Sequence, residues 1–168
     1  KLFGTGYYML VVSGILISVI GLIFLKDIVN LYGADDQTRI YAEQYLKIIL
    51  FGNVFNVVSF GLNNIIRAEG NPKVAMYSML IGAIVNTILD PILIFGFNMG
   101  VEGAAYATIF AQFLSFAWTM WYFLSKRSML RLTKENIRFD GKLVLQIMSI
   151  GASPFAVQVA GSIIGITM

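Results

Sequence analysis

Five apolar stretches separated by short polar ones lay out this chain. No charged residue occurs between Lys1 and Lys26, between Lys47 and Arg67, between Glu102 and Lys126, or from Leu143 onward. A further run, Pro72 to Gly96, is apolar apart from Lys73 at its start and a few polar positions within it. Each run reaches the ~18 to 20 residues that a helix rising 1.5 Å per residue needs to cross a ~30 Å hydrocarbon core. The pattern predicts spans over 6–25, 48–66, 74–96 and 103–124, and a fifth from Leu143. Between the first two, the mixed-charge segment from Lys26 to Lys47 is expected to hold a short surface helix over 38–45, capped by Thr38. Arg67-Ala68-Glu69-Gly70-Asn71-Pro72-Lys73 is expected to turn the second span into the third, with Pro72 in the first helical turn.

Polar residues inside the spans fall at helical spacing. Asn53, Asn56, Ser59 and Asn63 gather on one side of the second span, a stripe suited either to interhelical hydrogen bonds or to the lining of a cavity. In the third span Asn86 and Asp90 share a face with Ser78 and Gly82. Asp90 is the only carboxylate within any apolar run. At membrane depth such a group costs several kcal/mol unless it is protonated, ion-bound or hydrogen-bonded, and it commonly marks an ion or substrate pathway. Pro91 follows at once; it removes an amide donor and displaces the carbonyl of Thr87, so a kink is expected beside the carboxylate. The fourth span carries Ala104, Thr108, Ala111 and Ser115 on one face. Counting inward from the short connection at 97–102, Asp90 and Thr108 lie about six and about five residues deep, so Asn86, Asp90 and Thr108 can converge. Loosened backbone with a carboxylate, an amide and a hydroxyl is the material of transporter cation sites, and H⁺ or Na⁺ are the candidate ions at Asp90, Asn86 and Thr108. In the first span Gly14 and Ser18 form a small-residue seam for a neighbouring helix.

Composition agrees. The 168 residues are 58% hydrophobic and 12% charged with a mean hydropathy of +0.78, whereas soluble domains are about a quarter charged. The expected fold class is an all-α integral membrane protein, a polytopic helical bundle. The first run is too long for a cleavable signal and is followed by further spans. The chain starts with Lys and stops inside a span, which suggests a piece of a longer protein. There is no Cys and no His. With no Ser/His or Cys/His pair, no phosphate-binding loop and one intramembrane acid, no catalytic residues are assigned, and the chain is not expected to be an enzyme.

Charge sets an orientation. Lys126, Arg127, Arg131, Lys134, Arg138 and Lys142 fill the last connector, which the positive-inside rule makes cytoplasmic. Alternating the spans puts nine basic residues inside and three outside, and leaves the 97–102 hairpin external. The connector reads as a topology determinant touching anionic lipid, with no nucleic acid implied. The fifth span carries Pro154 midway, with Gln146 and Gln158 as its polar marks.

Arg67-Ala68-Glu69-Gly70-Asn71-Pro72-Lys73, Asn86-Thr87-Ile88-Leu89-Asp90-Pro91 and Gly100-Val101-Glu102-Gly103-Ala104-Ala105-Tyr106-Ala107-Thr108 together resemble the multidrug and toxic compound extrusion (MATE) family, in its prokaryotic branch. The resemblance implies a two-lobe transporter of twelve spans, with this chain matching the third to about the seventh. Residues 1–142 would then belong to a partial N-terminal lobe, and 143–168 would begin the first helix of the C-terminal lobe. It implies export of drugs or organic cations against H⁺ or Na⁺, with no cofactor besides the coupling ion, at the plasma (inner) membrane. It places a cation site on Asn86, Asp90 and Thr108; a further Asp of that site belongs to a first helix that has no counterpart here. Partners would be small-molecule substrates, lipids and the remaining helices. A lipid-linked oligosaccharide or peptidoglycan-precursor flippase of the same superfamily is the alternative, and it predicts a cavity rich in basic residues.

Overall fold

The computed structural model describes residues 2–31, 35–125, 128–130 and 141–167. Their regular structure is helical throughout: α1 (Leu2–Ile23), α2 (Leu25–Leu31), α3 (Asp36–Ala68), α4 (Pro72–Pro91), a π-helical segment (Ile92–Gly96), α5 (Gly100–Leu124) and α6 (Gly141–Thr167). Among the described residues four helices are long and apolar enough to cross a membrane, with α4 and the π segment forming one continuous span, Pro72–Gly96. A fifth is present if α6 is one span, since its parts Gly141–Ala152 and Phe155–Gly161 meet at 42°. The Pro154 side chain lies outside the described residues, as do Lys126, Arg127 and residues 131–140 of the basic connector.

The chain divides into two compact units, Leu10–Arg131 and Lys1–Met9 with Leu132–Met168. The first contains α3, α4 and α5. Of the second, the described residues are the start of α1 and all of α6.

One expectation is corrected in α3. The polar segment over 38–45 is no separate surface helix but the first turns of a single 33-residue helix. Its start is set by Asp35, whose carbonyl accepts from the amides of Thr38 (3.0 Å) and Arg39 (2.8 Å), while the Thr38 hydroxyl only bonds back to the same carbonyl at 3.0 Å. Arg39 and Glu43, one turn apart, pair at 3.0 Å and support helix where hydropathy alone signals none. The charges at 39–47 mark where lipid would begin, not where hydrogen bonding ends.

Small residues let these helices pack backbone to backbone. A Cβ on Gly14 of α1 would lie 3.1 Å from the Val54 Cα of α3, and one on Gly21 would lie 2.6 Å from a Leu50 methyl. The seam expected at Gly14 and Ser18 therefore faces α3, with Ser18 buried. Between α3 and α5, Gly52 admits the Ile109 side chain, and the Phe55 ring meets Phe113 edge-on at 5.3 Å and Phe116 at 5.5 Å. Val58, Leu62 and Ile66 of α3, Ala75 of α4, and Ala105, Ala107 and Ala111 of α5 are buried.

The α4 and α5 helices run antiparallel, tied in sequence along their length. Trp118 Nε1 donates to the Val74 carbonyl at 3.3 Å, and Ser115 Oγ to the Ser78 carbonyl at 2.9 Å. At the far end Gly103 meets the π segment: a Cβ there would sit 2.8 Å from the Leu93 carbonyl carbon and 3.1 Å from the Ile94 nitrogen. Glycine is the one residue that fits this approach.

Candidate functional site

At Pro91, where a kink is expected, the helix changes its pitch. After Pro91 the chain widens into the π segment, closed by the Phe97 amide donating to the Ile92 carbonyl at 3.0 Å. Single-turn π segments often lie at functional sites, because the extra residue per turn shifts every following side chain and leaves backbone groups less tightly paired. Thr87, four residues before the proline, donates its hydroxyl to the Ala83 carbonyl at 2.8 Å. Asp90 is the last residue before this change of pitch.

The three residues assigned to an ion site come together. The Asn86 amino group donates to Asp90 Oδ1 at 3.3 Å and to Thr108 Oγ1 at 3.4 Å. Thr108 in turn donates to the Ala104 carbonyl at 2.9 Å. Asn86 is thus the hub, and Asp90 and Thr108 meet through it. All three are partly buried. The arrangement offers a carboxylate, a hydroxyl and, on the far side of the Asn86 carboxamide, a carbonyl oxygen. Among the described residues no three His, Cys, Asp or Glu side chains come together as metal ligands.

Asn86 also lines an open-sided cavity of about 490 Å³ between α3, α4 and α5. From α3 it is lined by Asn56, Ser59, Phe60, Asn63, Asn64 and Arg67. The α4 wall is Ser78, Met79, Gly82, Ala83 and Asn86, so three of the four residues of the stripe read from the sequence, Ser78, Gly82 and Asn86, line it. Thr108, Ala111, Gln112 and Ser115 complete it from α5. A Cβ on Gly82 would come within 2.5 Å of Ser115 Oγ, which would have to turn aside. Asp90 is not on the cavity wall; it lies behind Asn86.

Of the three asparagines proposed to line a cavity, Asn56 and Asn63 do so and Asn53 does not. The Asn53 amino group is buried with no hydrogen-bond partner among the described residues. Asn63 serves both readings of the α3 stripe at once. It is buried, and its amino group donates to the Ala75 carbonyl at 2.7 Å and to Ser78 Oγ in a short contact, while its oxygen accepts from Arg67 Nε at 3.1 Å. Gln112, Asn64 and Arg67 are lining residues that the sequence reading missed. Gln112 stands one turn beyond Thr108 and Arg67 one turn beyond Asn63, so the same four-residue rule could have found them. The Gln112 Oε1 atom is buried with no hydrogen-bond partner among the described residues.

At the end of α3 the turn is fastened to α5. Gly70 takes φ +83°, and Asn71 donates to the Tyr122 hydroxyl at 2.8 Å. Glu69 accepts from Tyr122 at 3.0 Å, from Ser128 Oγ at 2.9 Å and from the Leu130 amide at 3.0 Å. This network fixes the α3–α4 hairpin, and with it the Arg67 end of the cavity.

Comparison with known proteins agrees with this picture. The MepA multidrug export protein of Staphylococcus haemolyticus is 32% identical over 161 residues, which are 96% of this chain and 36% of the relative. MepA of Staphylococcus saprophyticus is 27% identical over 157 residues, 94% of this chain and 35% of the relative. Among solved structures, an outward-facing multidrug resistance MATE family transporter superposes with a TM-score of 0.86 at 25% identity, over 97% of this chain and 37% of that one. MATE in a bent conformation superposes at 0.83 and 27% identity, over 94% and 35%. The chain therefore spans about a third of the length of the relatives it matches. Residues 1–92 match the MatE family model, and with more than half its length so matched the chain belongs to the MatE family of multi-pass membrane proteins.

Proposed function

We propose that this chain supplies part of one lobe of a secondary active exporter, which moves drugs or organic cations outward in exchange for H⁺ or Na⁺. In this reading the cation is taken at Asp90, Asn86 and Thr108, and the substrate enters the adjacent cavity. Residues 1–142 belong to the N-terminal lobe and 143–168 to the start of the next. The protein lies in the plasma membrane among lipids, with the 126–142 connector cytoplasmic and the 97–102 hairpin external. The coupling ion is the only non-protein component the mechanism requires, and nucleic acid has no part in it.

The observation that carries the proposal is the double duty of Asn86, which lines the cavity and bonds both Asp90 and Thr108. A carboxamide has a donor end and an acceptor end. Here the donor end faces the carboxylate. Bound Na⁺ needs an oxygen there, and a protonated Asp90 is itself a donor seeking one, so either ion favours turning the carboxamide over. The end of the carboxamide away from Asp90 then changes from acceptor to donor, and a cationic substrate that reaches it loses a partner. Ion and substrate thereby bind in opposition, as antiport demands, and alternating access between two lobes converts that opposition into transport.

The flippase alternative calls for a basic cavity. Among the described residues Arg67 is the one cationic side chain lining this cavity, and the others are Asn, Gln, Ser, Thr, Gly and apolar residues, which supports the exporter. The test is substrate efflux from proteoliposomes holding the full-length protein, driven by an imposed pH or Na⁺ gradient. Asp90→Asn keeps side-chain volume and most hydrogen bonding but removes the charge, and coupled efflux should be lost while the protein remains inserted. Gradient-driven efflux at the parental rate in that variant would overturn the assignment.

A further inference from the structure

The end of the cavity away from Asn86 has its own chemistry. Arg67 folds back along α3 so that Nε donates to Asn63 Oδ1 at 3.1 Å, and one terminal nitrogen reaches across to Met79 Sδ at 3.0 Å. Asn63 is 5% exposed, and both its donor contacts, to Ala75 and Ser78, lie within the protein. It is therefore a fixed post that holds the guanidinium in one orientation on the cavity wall. A guanidinium has five N–H donors. Nε is used on Asn63 and one more on a thioether, a weak acceptor. Among the described residues no carboxylate lies within ion-pair distance of Arg67. A preoriented cation with unspent donors, set beside Asn64 and the apolar Phe60 and Met79, matches an oxyanion carried on an apolar body.

We infer that the Arg67 end of this cavity binds the carboxylate or phosphate of an amphipathic ligand, opposite the acceptor-bearing end at Asn86. The inference rests on the reading that the cavity receives substrate, and it narrows the substrate class. From Met79, beside the guanidinium, to Asn86 is about 10 Å along α4. The site therefore selects molecules with an anionic group about that far from a cationic or hydrogen-bond-donating one, and a simple monocation fills only half of it. The oxyanion could belong to a solute or to a phospholipid headgroup entering from the bilayer.

The test uses the full-length protein in nanodiscs and two probes that differ in one group, rhodamine B with its free carboxylate and rhodamine B ethyl ester without it. Fluorescence anisotropy gives the affinity of each. The free acid should bind about tenfold tighter than the ester, the scale of a charge-assisted contact, and Arg67→Gln should collapse the ratio to about one. Arg67→Lys keeps the charge but loses the fork, so its ratio should fall between the two; it serves as the test if Arg67→Gln does not insert. A wild-type ratio of one, or a ratio unchanged in these variants, overturns the oxyanion site while leaving the cavity as a substrate site. Failure of wild type to bind either dye overturns the substrate reading beneath it. Adding phosphatidylglycerol to phosphatidylcholine discs separates the sources. If a headgroup is the occupant, the anionic lipid weakens free-acid binding in wild type and leaves Arg67→Gln unmoved; if a solute is, it weakens neither, and both results support the site.

Discussion

The two ends of the α4 polar stripe are built from the same kinds of residue and differ in how fully they are satisfied. At the Ser78 end, Asn63 makes three bonds, two of them at 2.7 and 3.1 Å, and is buried against a fixed hairpin. At the Asp90 end, Asn86 makes two, at 3.3 and 3.4 Å, both longer than the ~2.9 to 3.0 Å of a well-formed amide bond. The first end is saturated and holds its neighbours in place. The second is loosely held, half-buried and adjacent to a segment whose pitch has already changed. A polar group in a membrane can serve either as structural glue or as a switch, and what separates the two here is bond length and the condition of the nearby backbone.

That contrast can be broken by substitution. The largest loss of stability is expected for Asn63→Ala. It removes three contacts, at roughly 0.6 kcal/mol for an average intramembrane hydrogen bond, and leaves Arg67 Nε unpaired, for about 2 kcal/mol in all. Denaturant unfolding of the full-length protein in detergent measures this, and an unchanged midpoint would show that the Asn63 network holds nothing. Next comes Gly103→Ala. The added methyl meets the Leu93 and Ile94 backbone, which cannot swing aside as a side chain can, so α5 must move off the π segment. Overpacking of this kind costs about 1 to 3 kcal/mol, offset by up to about 1 kcal/mol of improved helix propensity. Gly82→Ala should cost less, because the atom it meets is the Ser115 hydroxyl, which can rotate. Equal destabilisation at the two glycines would contradict the difference drawn between backbone and side-chain contact. The smallest effect on stability is expected for Asn86→Ala and Thr108→Ala, about 0.6 kcal/mol or less for each, because the bonds that join the three residues are long and the shorter one from Thr108 only returns to the Ala104 carbonyl of its own helix. Their consequence should appear instead as weaker ion binding, seen as a steeper gradient needed to drive the same efflux.

Much of this was legible in the sequence because a transmembrane helix reports its faces at four-residue spacing. Ser78, Gly82, Asn86 and Asp90 gave one wall and the hub, and equal depth from the 97–102 hairpin brought Thr108 to it. What hydropathy could not show was the extent of α3. Apolar runs mark contact with lipid, whereas a helix continues into water wherever its backbone bonds and pairs such as Arg39 with Glu43 allow. Pro91 announced a disturbance, but whether the backbone kinks or widens into a π turn depends on what packs against it, and Gly103 of the neighbouring helix is part of that. Asn53 misled for a related reason. Spacing along one helix places side chains on a common side without saying where the cavity's edge falls, and that edge is set by α4 and α5. Arg67 was read as the start of a turn, as part of the family motif and as one of the inside charges, although its place one turn beyond Asn63 also brings it onto the cavity wall.

The central claim is that Asn86 joins an ion site at Asp90 to a substrate site in the cavity, so that the two ligands oppose one another. Equilibrium binding of rhodamine B ethyl ester to the full-length protein, titrated across Na⁺ concentration and pH, measures that opposition without requiring transport. Linkage of about 1 to 3 kcal/mol is usual for coupled sites, so wild-type dye affinity should fall about five- to a hundredfold as the coupling ion saturates, and Asp90→Asn should bind dye with an affinity that no longer responds to the ion. A dye affinity that still falls to the same extent in Asp90→Asn would contradict the account and place the coupling ion elsewhere in the protein.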